Sequence, residues 1–118
     1  MNVGSSATVT HTVTDADTAI AIGSGDVAVY GTPALAALFE RAAVAAVGAL
    51  DEAATSVGTR LELDHLAPSR VGAVVRATAT VAAVDGRRLT LECEAHEGER
   101  LIGRCTHHRV IVERATFG

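Results

Sequence analysis

The chain of 118 residues has no lysine and no tryptophan, and its ten basic residues, all arginines, are outnumbered by 14 acidic ones. The formal net charge is −4 at pH 7. Nucleic-acid binding depends on basic side chains that neutralise phosphates, so this balance argues against a general nucleic-acid-binding role. Local groups of arginines are still suited to holding a phosphorylated small molecule. The length predicts one domain, spanning residues 1–118.

Cysteine is also scarce. Cys93 and Cys105 are the only two, and they do not form a CxxC pair. Two cysteines do not make a disulfide framework. Each lies in a segment where apolar residues alternate with polar ones, which predicts buried free thiols.

The chain lacks the signals that direct proteins to membranes. Its first residues, MNVGSSATVTHT, contain no basic n-region and no apolar h-region. This predicts the absence of a signal peptide and a cytoplasmic location. The apolar segment Pro33–Leu50 approaches the length of a membrane span, but two charges near its middle favour a core helix and no membrane association.

Pro33–Leu50 is the most distinctive stretch of the chain. It reads PALAALFERAAVAAVGAL, and its only charged residues are Glu40 and Arg41. A helix that is apolar nearly all round is expected to be enclosed, and an ionised carboxylate there is costly unless it is paired. The neighbours of Glu40 one helical turn away are alanines and a valine, so the helix itself offers no ion pair. Thr32, directly before Pro33, suits the N-cap position.

Alternating polar and apolar residues predict strands on both sides of this helix. Residues 7–14 form a first strand, with His11 on the same face as the valines. Residues 15–32 form a long connection, and loops of this length in small domains are often functional. After the helix, the segment GTRLELDHL places Thr59, two leucines and His65 on one inward face. A histidine on an apolar face is more often a core residue than a catalyst.

Three further strands are predicted at Val71–Val84, Arg88–His96 and Arg100–Arg114. The pairs Asp85-Gly86 and Glu97-Gly98 mark the hairpins between them. The last strand places His107 and Arg109 on an otherwise apolar face, which is unusual. His107 and His108 do not form a metal site, because adjacent strand residues point to opposite faces.

The predicted order is therefore strand, long loop, helix, and four strands in a meander. This is an α+β arrangement in which a curled antiparallel sheet wraps around one long buried helix, the hot-dog fold. A single sheet leaves part of such a helix exposed and an edge strand unpaired, so a homodimer is expected.

Four short segments have a familiar order and spacing. Thr32 lies eight residues before Glu40 in LFERA, LDHLAPSRVG surrounds His65, VDGRRL spans residues 84–89, and GRCTHHRVIV spans residues 103–112. From about Val27 to its C-terminus, the chain resembles the fluoroacetyl-CoA thioesterase type of single-domain hot-dog thioesterases.

This resemblance implies a function and a site. The family's catalytic threonine, glutamate and histidine correspond to Thr32, Glu40 and His65. The arginine of its H-x-R motif, which lines the site, corresponds to Arg109. Tyr30 and Gly72 are predicted to bind substrate as well. The resemblance further implies homodimers with active sites at the subunit interface. It also implies hydrolysis of acyl-CoA without a metal or other cofactor, coenzyme A being part of the substrate.

The chemistry of thioester hydrolysis fits these residue types. The reaction needs an activated water or a carboxylate nucleophile, and donors for the developing oxyanion. Glu40 can supply the first, whereas His65 can polarise the carbonyl, shuttle a proton or orient water. On one straight helix, however, Thr32 and Glu40 are about 12 Å apart. They serve one substrate only if the helix start is irregular, if the substrate bridges them, or if they belong to different subunits.

The acyl group is predicted to be small or medium in size. The family's fluoroacetyl enzyme has aromatic residues in the loop before the threonine, whereas here this segment reads Asp26-Val27-Ala28-Val29-Tyr30. Arginines that could bind the phosphates of coenzyme A are Arg70, Arg76, Arg87, Arg88 and Arg104.

Three alternatives stay open. The first is a dimer that binds acyl-CoA or another small ligand without turnover. The second is a hot-dog hydratase or dehydratase, which ranks lower because the chain has no separate Asp/His motif of that type. The third is a structural dimer in which Glu40 only pairs with a buried histidine or arginine.

Overall fold

The alternating segments form five strands, and the apolar segment forms the one long helix. The computed structural model describes all residues, 1–118. In chain order, the elements are β1 (Ser6–Thr12), α1 (Ala19–Ile22), α2 (Thr32–Val47), β2 (Ala54–His65), β3 (Val74–Asp85), β4 (Arg88–Glu97) and β5 (Arg100–Glu113). No helix combines the length and the hydropathy that crossing a membrane requires.

The five strands form one antiparallel sheet in the order β1-β3-β4-β5-β2. The two predicted hairpins are confirmed, because Asp85 pairs with Arg88 and Glu97 pairs with Arg100 across two-residue turns. The predicted four-strand meander is wrong at β2, which pairs with β5 and not with β3. Alternation along a strand specifies the face that it buries, but it does not specify which strand lies beside it.

The core lies between the inner face of the sheet and α2. It is a single cluster of 19 buried apolar residues, and the valines, alanines and leucines of β3 and β4 supply much of it. Cys93 and Cys105 lie opposite each other on β4 and β5, and both are buried and free, as predicted. Burial raises the pKa of Cys93 to about 12 and that of Cys105 to about 11, so both thiols are protonated at neutral pH.

Helix α2 is buried along one side only. Leu35, Leu38 and Phe39 are buried against the sheet, chiefly on β1 and β3. Val44, on the opposite side, is 53% exposed, and Arg41 is exposed as well. The sheet curls over only one side of the helix, which agrees with the expectation that a single sheet leaves part of it exposed.

Candidate active site

The start of α2 meets the end of β2 in a hydrogen bond between two of the predicted catalytic residues. Thr32 Oγ1 lies 2.8 Å from His65 Nδ1. Thr32 is not the N-cap that the sequence predicts: Gly31 occupies that position, and Thr32 lies in the first helical turn. Its hydroxyl is directed at the histidine ring rather than at the helix backbone.

A bulge in β5 fixes the residues that directly follow His65. Ala95 pairs with Gly103 and His96 with Leu101, so Ile102 is an extra residue in the ladder. The Ile102 carbonyl accepts hydrogen bonds from the amides of Leu66 and Ala67, at 2.8 and 3.2 Å. The end of β2 is therefore fixed to its neighbour, and His65 has a defined position.

His65 is half-buried, and its ring is neutral at physiological pH. Burial lowers the pKa of His65 below its usual value of about 6.5. Its Nε2 atom is buried and has no hydrogen-bond partner in the chain. When the Thr32 hydroxyl donates to Nδ1, Nε2 carries the ring proton and is free to donate it to a ligand.

A pocket of about 310 Å³ opens beside this pair. Small and apolar residues of the connection before α2 and of the segment after β2 form its walls: Ala19, Ser24, Val29, Tyr30, Gly31, Leu66, Ala67 and Pro68. Thr32 and His65 line it as well and, with Ser24, are polar members of its lining. The long connection thus covers a site at the helix start.

Tyr30 lines this pocket, but its hydroxyl is already engaged. The side chain is 2% exposed, and its hydroxyl donates to the Ala34 carbonyl at 3.2 Å. The ring stacks on His11 with a centroid distance of 6.0 Å. Burial raises the pKa of Tyr30 to about 12, so the phenol stays protonated. Its visible role is to hold the connection on the helix, and a role in substrate binding stays a prediction.

Glu40 lies farther along α2, beside Arg109 of β5. Arg109 Nη1 is 3.7 Å from Glu40 Oε2. The Arg109 side chain is 6% exposed, whereas that of Glu40 is 43% exposed. The expectation of a carboxylate enclosed by apolar residues is wrong for the single chain: the ion-pair partner of Glu40 comes from the sheet, and one side of its carboxylate is open.

Arg109 is held by β2 and by its own strand. Its Nε donates to Ser56 Oγ at 2.9 Å, and its Nη2 donates to the Ser56 carbonyl at 3.0 Å. Its Nη1 donates to His107 Nε2 at 3.1 Å. Burial lowers the pKa of Arg109, and the charge of Glu40 partly offsets this effect. The sequence pattern predicts that His107 lies on an apolar face but does not predict its role. No sequence pattern indicates a role for Ser56.

A bulge in β2 brings Gly58 to the same cluster. Gly58 pairs with Arg109 and Arg60 with His108, so Thr59 is the extra residue. The prediction that Thr59 shares the inward face of the leucines is wrong, because the bulge leaves it exposed. A Cβ atom at Gly58 would lie 2.7 Å from Glu40 Oε2, so only glycine lets the carboxylate approach the strand this closely.

The structure brings the predicted site residues together in two groups. Thr32 and His65 form one, and Glu40 and Arg109 form the other. Because α2 is helical from Thr32 onward, the two groups are about 12 Å apart along it, and an irregular helix start does not bring them together. A second pocket, of about 380 Å³, opens at Glu40 and Arg109 on the exposed side of α2.

Gly72 lies apart from both groups. It occupies the turn before β3 with a φ of +93°, and its amide donates to the Val13 carbonyl at 2.8 Å. It lines neither pocket. Its predicted role in substrate binding stays a prediction. No three His, Cys, Asp or Glu side chains lie close enough together to hold a metal ion.

A family model described as FlK, fluoroacetyl-CoA-specific thioesterase, matches residues 13–115 of this chain. The chain belongs to the fluoroacetyl-CoA-specific thioesterase family. A curated relative, the fluoroacetyl-CoA thioesterase of Streptantibioticus cattleyicolor, is 34% identical over 90 residues, which cover 75% of this chain. The match spans 65% of the length of that relative. The resemblance seen in the sequence is thereby confirmed.

Solved structures that are similar to this chain share its fold. A variant of FlK in complex with fluoroacetate and CoA has a TM-score of 0.91 at 30% identity, and the match covers 100% of both chains. A hot-dog-like protein from Thermanaerovibrio acidaminovorans has a TM-score of 0.88 at 28% identity, with 98% of this chain and 86% of that chain covered. The predicted hot-dog fold is confirmed.

Proposed function

We propose that this protein is an acyl-CoA thioesterase that hydrolyses a small or medium acyl-CoA to the acid and free CoA. The observation that carries the proposal is the 2.8 Å hydrogen bond between Thr32 and His65 at the wall of an open pocket. Membership in the fluoroacetyl-CoA-specific thioesterase family supports the same reaction class.

In this proposal each residue has a defined role. Glu40 accepts the proton of the attacking water or attacks the thioester carbonyl itself. His65 donates from Nε2 to an oxygen or sulfur of the thioester, and Thr32 holds the ring through Nδ1. The carbonyl carbon gains an oxygen, the carbon–sulfur bond breaks, and the proton from water ends on the CoA sulfur.

The two groups of residues meet across a homodimer interface in this proposal. The Glu40 pocket opens on the side of α2 that the sheet leaves bare, where Val44 is 53% exposed. The strand β2 is an edge of the sheet. An exposed apolar helix face and an unpaired edge strand are surfaces that become buried when two subunits associate. A partner can thus place its Thr32 and His65 near the Glu40 of the first subunit.

The acyl group is proposed to occupy the pocket next to Thr32 and His65. Its walls are alanines, a proline, a leucine and a valine, and Tyr30 is the only aromatic residue among them. This lining suits an unbranched or small apolar acyl group.

Arg70 is the arginine best placed to bind a CoA phosphate. Arg76, Arg87 and Arg104 are each engaged with a carbonyl or carboxylate of the chain, and Arg88 lines a different pocket, beside Thr59 and His108. Arg70 pairs through its backbone with Val29 of the connection that lines the pocket, and its side chain has no hydrogen bond or ion pair.

The proposal is tested by replacing Glu40 with glutamine. The amide keeps the shape of the side chain but is neither a base nor a nucleophile, so E40Q is expected to lower acyl-CoA hydrolysis by at least about 10²-fold with the fold retained. Free-thiol release is measured on a panel from acetyl through medium-chain to aryl thioesters. The matched control is E94Q, an exposed position on β4, which is expected to leave turnover unchanged.

Two results would contradict the proposal. If the unmodified protein hydrolyses no thioester of the panel, the binding-module alternative is favoured. If E40Q hydrolyses thioesters as fast as the unmodified protein but unfolds at a lower temperature, Glu40 serves only to compensate the charge of Arg109. The ion pair between these two residues is the observation behind the structural alternative, in which Glu40 only pairs with a buried arginine.

A further inference from the structure

His107 is the only fully buried histidine, and the proposed mechanism does not use it. It is 0% exposed and projects from β5 towards the helix side of the sheet. Its Nδ1 lies 2.7 Å from the Arg60 carbonyl oxygen, and its Nε2 lies 3.1 Å from Arg109 Nη1. A buried polar side chain with both nitrogens engaged needs an explanation beyond packing.

These two partners determine the state of the ring. A carbonyl oxygen only accepts, so Nδ1 carries the proton, and a guanidinium only donates, so Nε2 has none. The ring is therefore neutral, in the Nδ1–H tautomer. Loss of water on burial lowers the pKa of His107, and the charge of Arg109 acts in the same direction.

The hydrogen bond to His107 influences how closely Arg109 contacts the Glu40 carboxylate. Ser56 engages Nε and Nη2 of the guanidinium, and His107 engages Nη1. Nη1 is also the atom nearest Glu40, at 3.7 Å from Oε2, which is within ion-pair range but too long for a hydrogen bond. Without this acceptor, Nη1 is free to form a short charge-assisted hydrogen bond with the Glu40 carboxylate.

We propose that His107 is a positioning residue that holds Arg109 at ion-pair distance from Glu40 and so keeps the carboxylate oxygens free for water or substrate. Without it, Nη1 turns to Glu40 and occupies the lone pairs that the reaction needs. This inference rests on the proposed thioesterase function, because the free carboxylate matters only when Glu40 acts on a thioester. The bulge at Thr59 is part of the arrangement, since it adjoins the Arg60 carbonyl that orients the ring.

The kinetic test compares two substitutions at His107 with one at its neighbour. Leucine has a similar size but no acceptor, so H107L is expected to lower kcat by between about tenfold and 10²-fold with little change in KM. Glutamine supplies an amide oxygen, so H107Q is expected to recover most of the loss. The matched control is H108L: His108 is on the opposite face of the strand, where its Nδ1 contacts Thr90 Oγ1.

A double variant separates positioning from a general loss of stability. If His107 acts through Arg109, H107L has no further effect on kcat in an R109K background. Additive losses in the double variant, or an H107L protein with unchanged kcat, would overturn the proposal.

Nitrogen-15 NMR of the unmodified protein tests the arrangement without any turnover. The expected result is a His107 ring protonated at Nδ1 only, with a slowly exchanging Arg109 Nη1 signal that shifts in H107L, where Nη1 turns from position 107 to Glu40. An Nε2–H tautomer, or freely rotating Nη groups before substitution, would refute the positioning role. If this signature is present but no thioester is hydrolysed, the arrangement stands and the thioesterase proposal fails.

Discussion

His65 and His107 share one physical property, the loss of water around the imidazole ring. Burial is the largest cause that lowers the pKa of each. Both rings use Nδ1 for a hydrogen bond to a fixed group of the chain, Thr32 for one and the Arg60 carbonyl for the other. The difference lies in Nε2, which is unpartnered in His65 and committed to Arg109 in His107. The first is therefore available to a ligand and the second is not.

This property predicts how stability depends on pH. In the unfolded chain both histidines regain a pKa of about 6.5, whereas in the folded chain the pKa of each is lower. As the pH falls below about 6.5, the unfolded state takes up protons first, so the free energy of unfolding decreases, by at most about 1.4 kcal/mol per pH unit for each group. Urea unfolding at pH 7.5 and pH 5.5 measures the change.

The H107Q variant is the control for this prediction. It removes one of the two histidines whose pKa is lowered by burial, so its stability is expected to fall less steeply over the same interval. Equal stability at both pH values, or greater stability at pH 5.5, would contradict the buried neutral state of these histidines.

At the scale of elements, the packing of α2 on the sheet depends on Gly103 of β5. A Cβ atom there would lie 2.8 Å from Leu35 Cδ2 and 3.2 Å from the Asp64 carbonyl oxygen. Leu35 is 0% exposed and belongs to the buried core cluster. The glycine thus lets the first turns of the helix sit close to β5, near the end of β2 that carries His65.

Replacing Gly103 with alanine is expected to destabilise the protein by about 1–3 kcal/mol, because the added methyl group overpacks a filled core. The free energy of unfolding from urea titrations measures this cost. The matched control is G25A, in the exposed connection, where the new Cβ would meet only Ala19 Cβ at 3.3 Å. The control is expected to stay within about 0.5 kcal/mol of the unmodified protein. A G103A protein as stable as the control would show that the helix can shift away.

At the scale of the whole molecule, one chain carries two half-sites that do not meet. One is Thr32 with His65, and the other is Glu40 with Arg109. The apolar side of α2 and the edge of β2 are the surfaces that a second copy would cover. In a two-fold dimer each interface patch contacts the same patch of the partner subunit. Each dimer therefore contains two composite sites.

The composite site predicts complementation between inactive variants. When E40Q and H65A chains are co-expressed, half of the dimers are mixed, and each mixed dimer carries one intact site. The expected activity is about one quarter of that of the unmodified protein, although each variant alone is nearly inactive. Free-thiol release from the purified mixture measures the recovery.

The matched control for complementation combines E40Q with R109K. Both substitutions lie in the same half-site, so every composite site of a mixed dimer contains one of them, and no activity above the average of the two parent variants is expected. Recovery with this pair, or none with the first pair, would show that the active site is not shared between subunits in this way.

Much of this protein follows from its sequence because the patterns involved are local. Alternation of polar and apolar residues predicted the strands, hairpins and buried cysteines, and the apolar segment predicted α2 to within a few residues of its ends. The spacing of Thr32, Glu40 and His65 within familiar motifs predicted the family. Each of these features depends on neighbours along the chain or on one face of an element.

Other features depend on the tertiary structure, because they arise between segments that are distant in sequence. The position of β2 beside β5 and the bulges at Thr59 and Ile102 are properties of strand pairing. The ion pair of Glu40 with Arg109 joins residues on different elements, and the role of His107 exists only because Arg60 and Arg109 lie on either side of it. Residue types and spacing show that polar groups are present on an apolar face, but only folding determines which groups they contact.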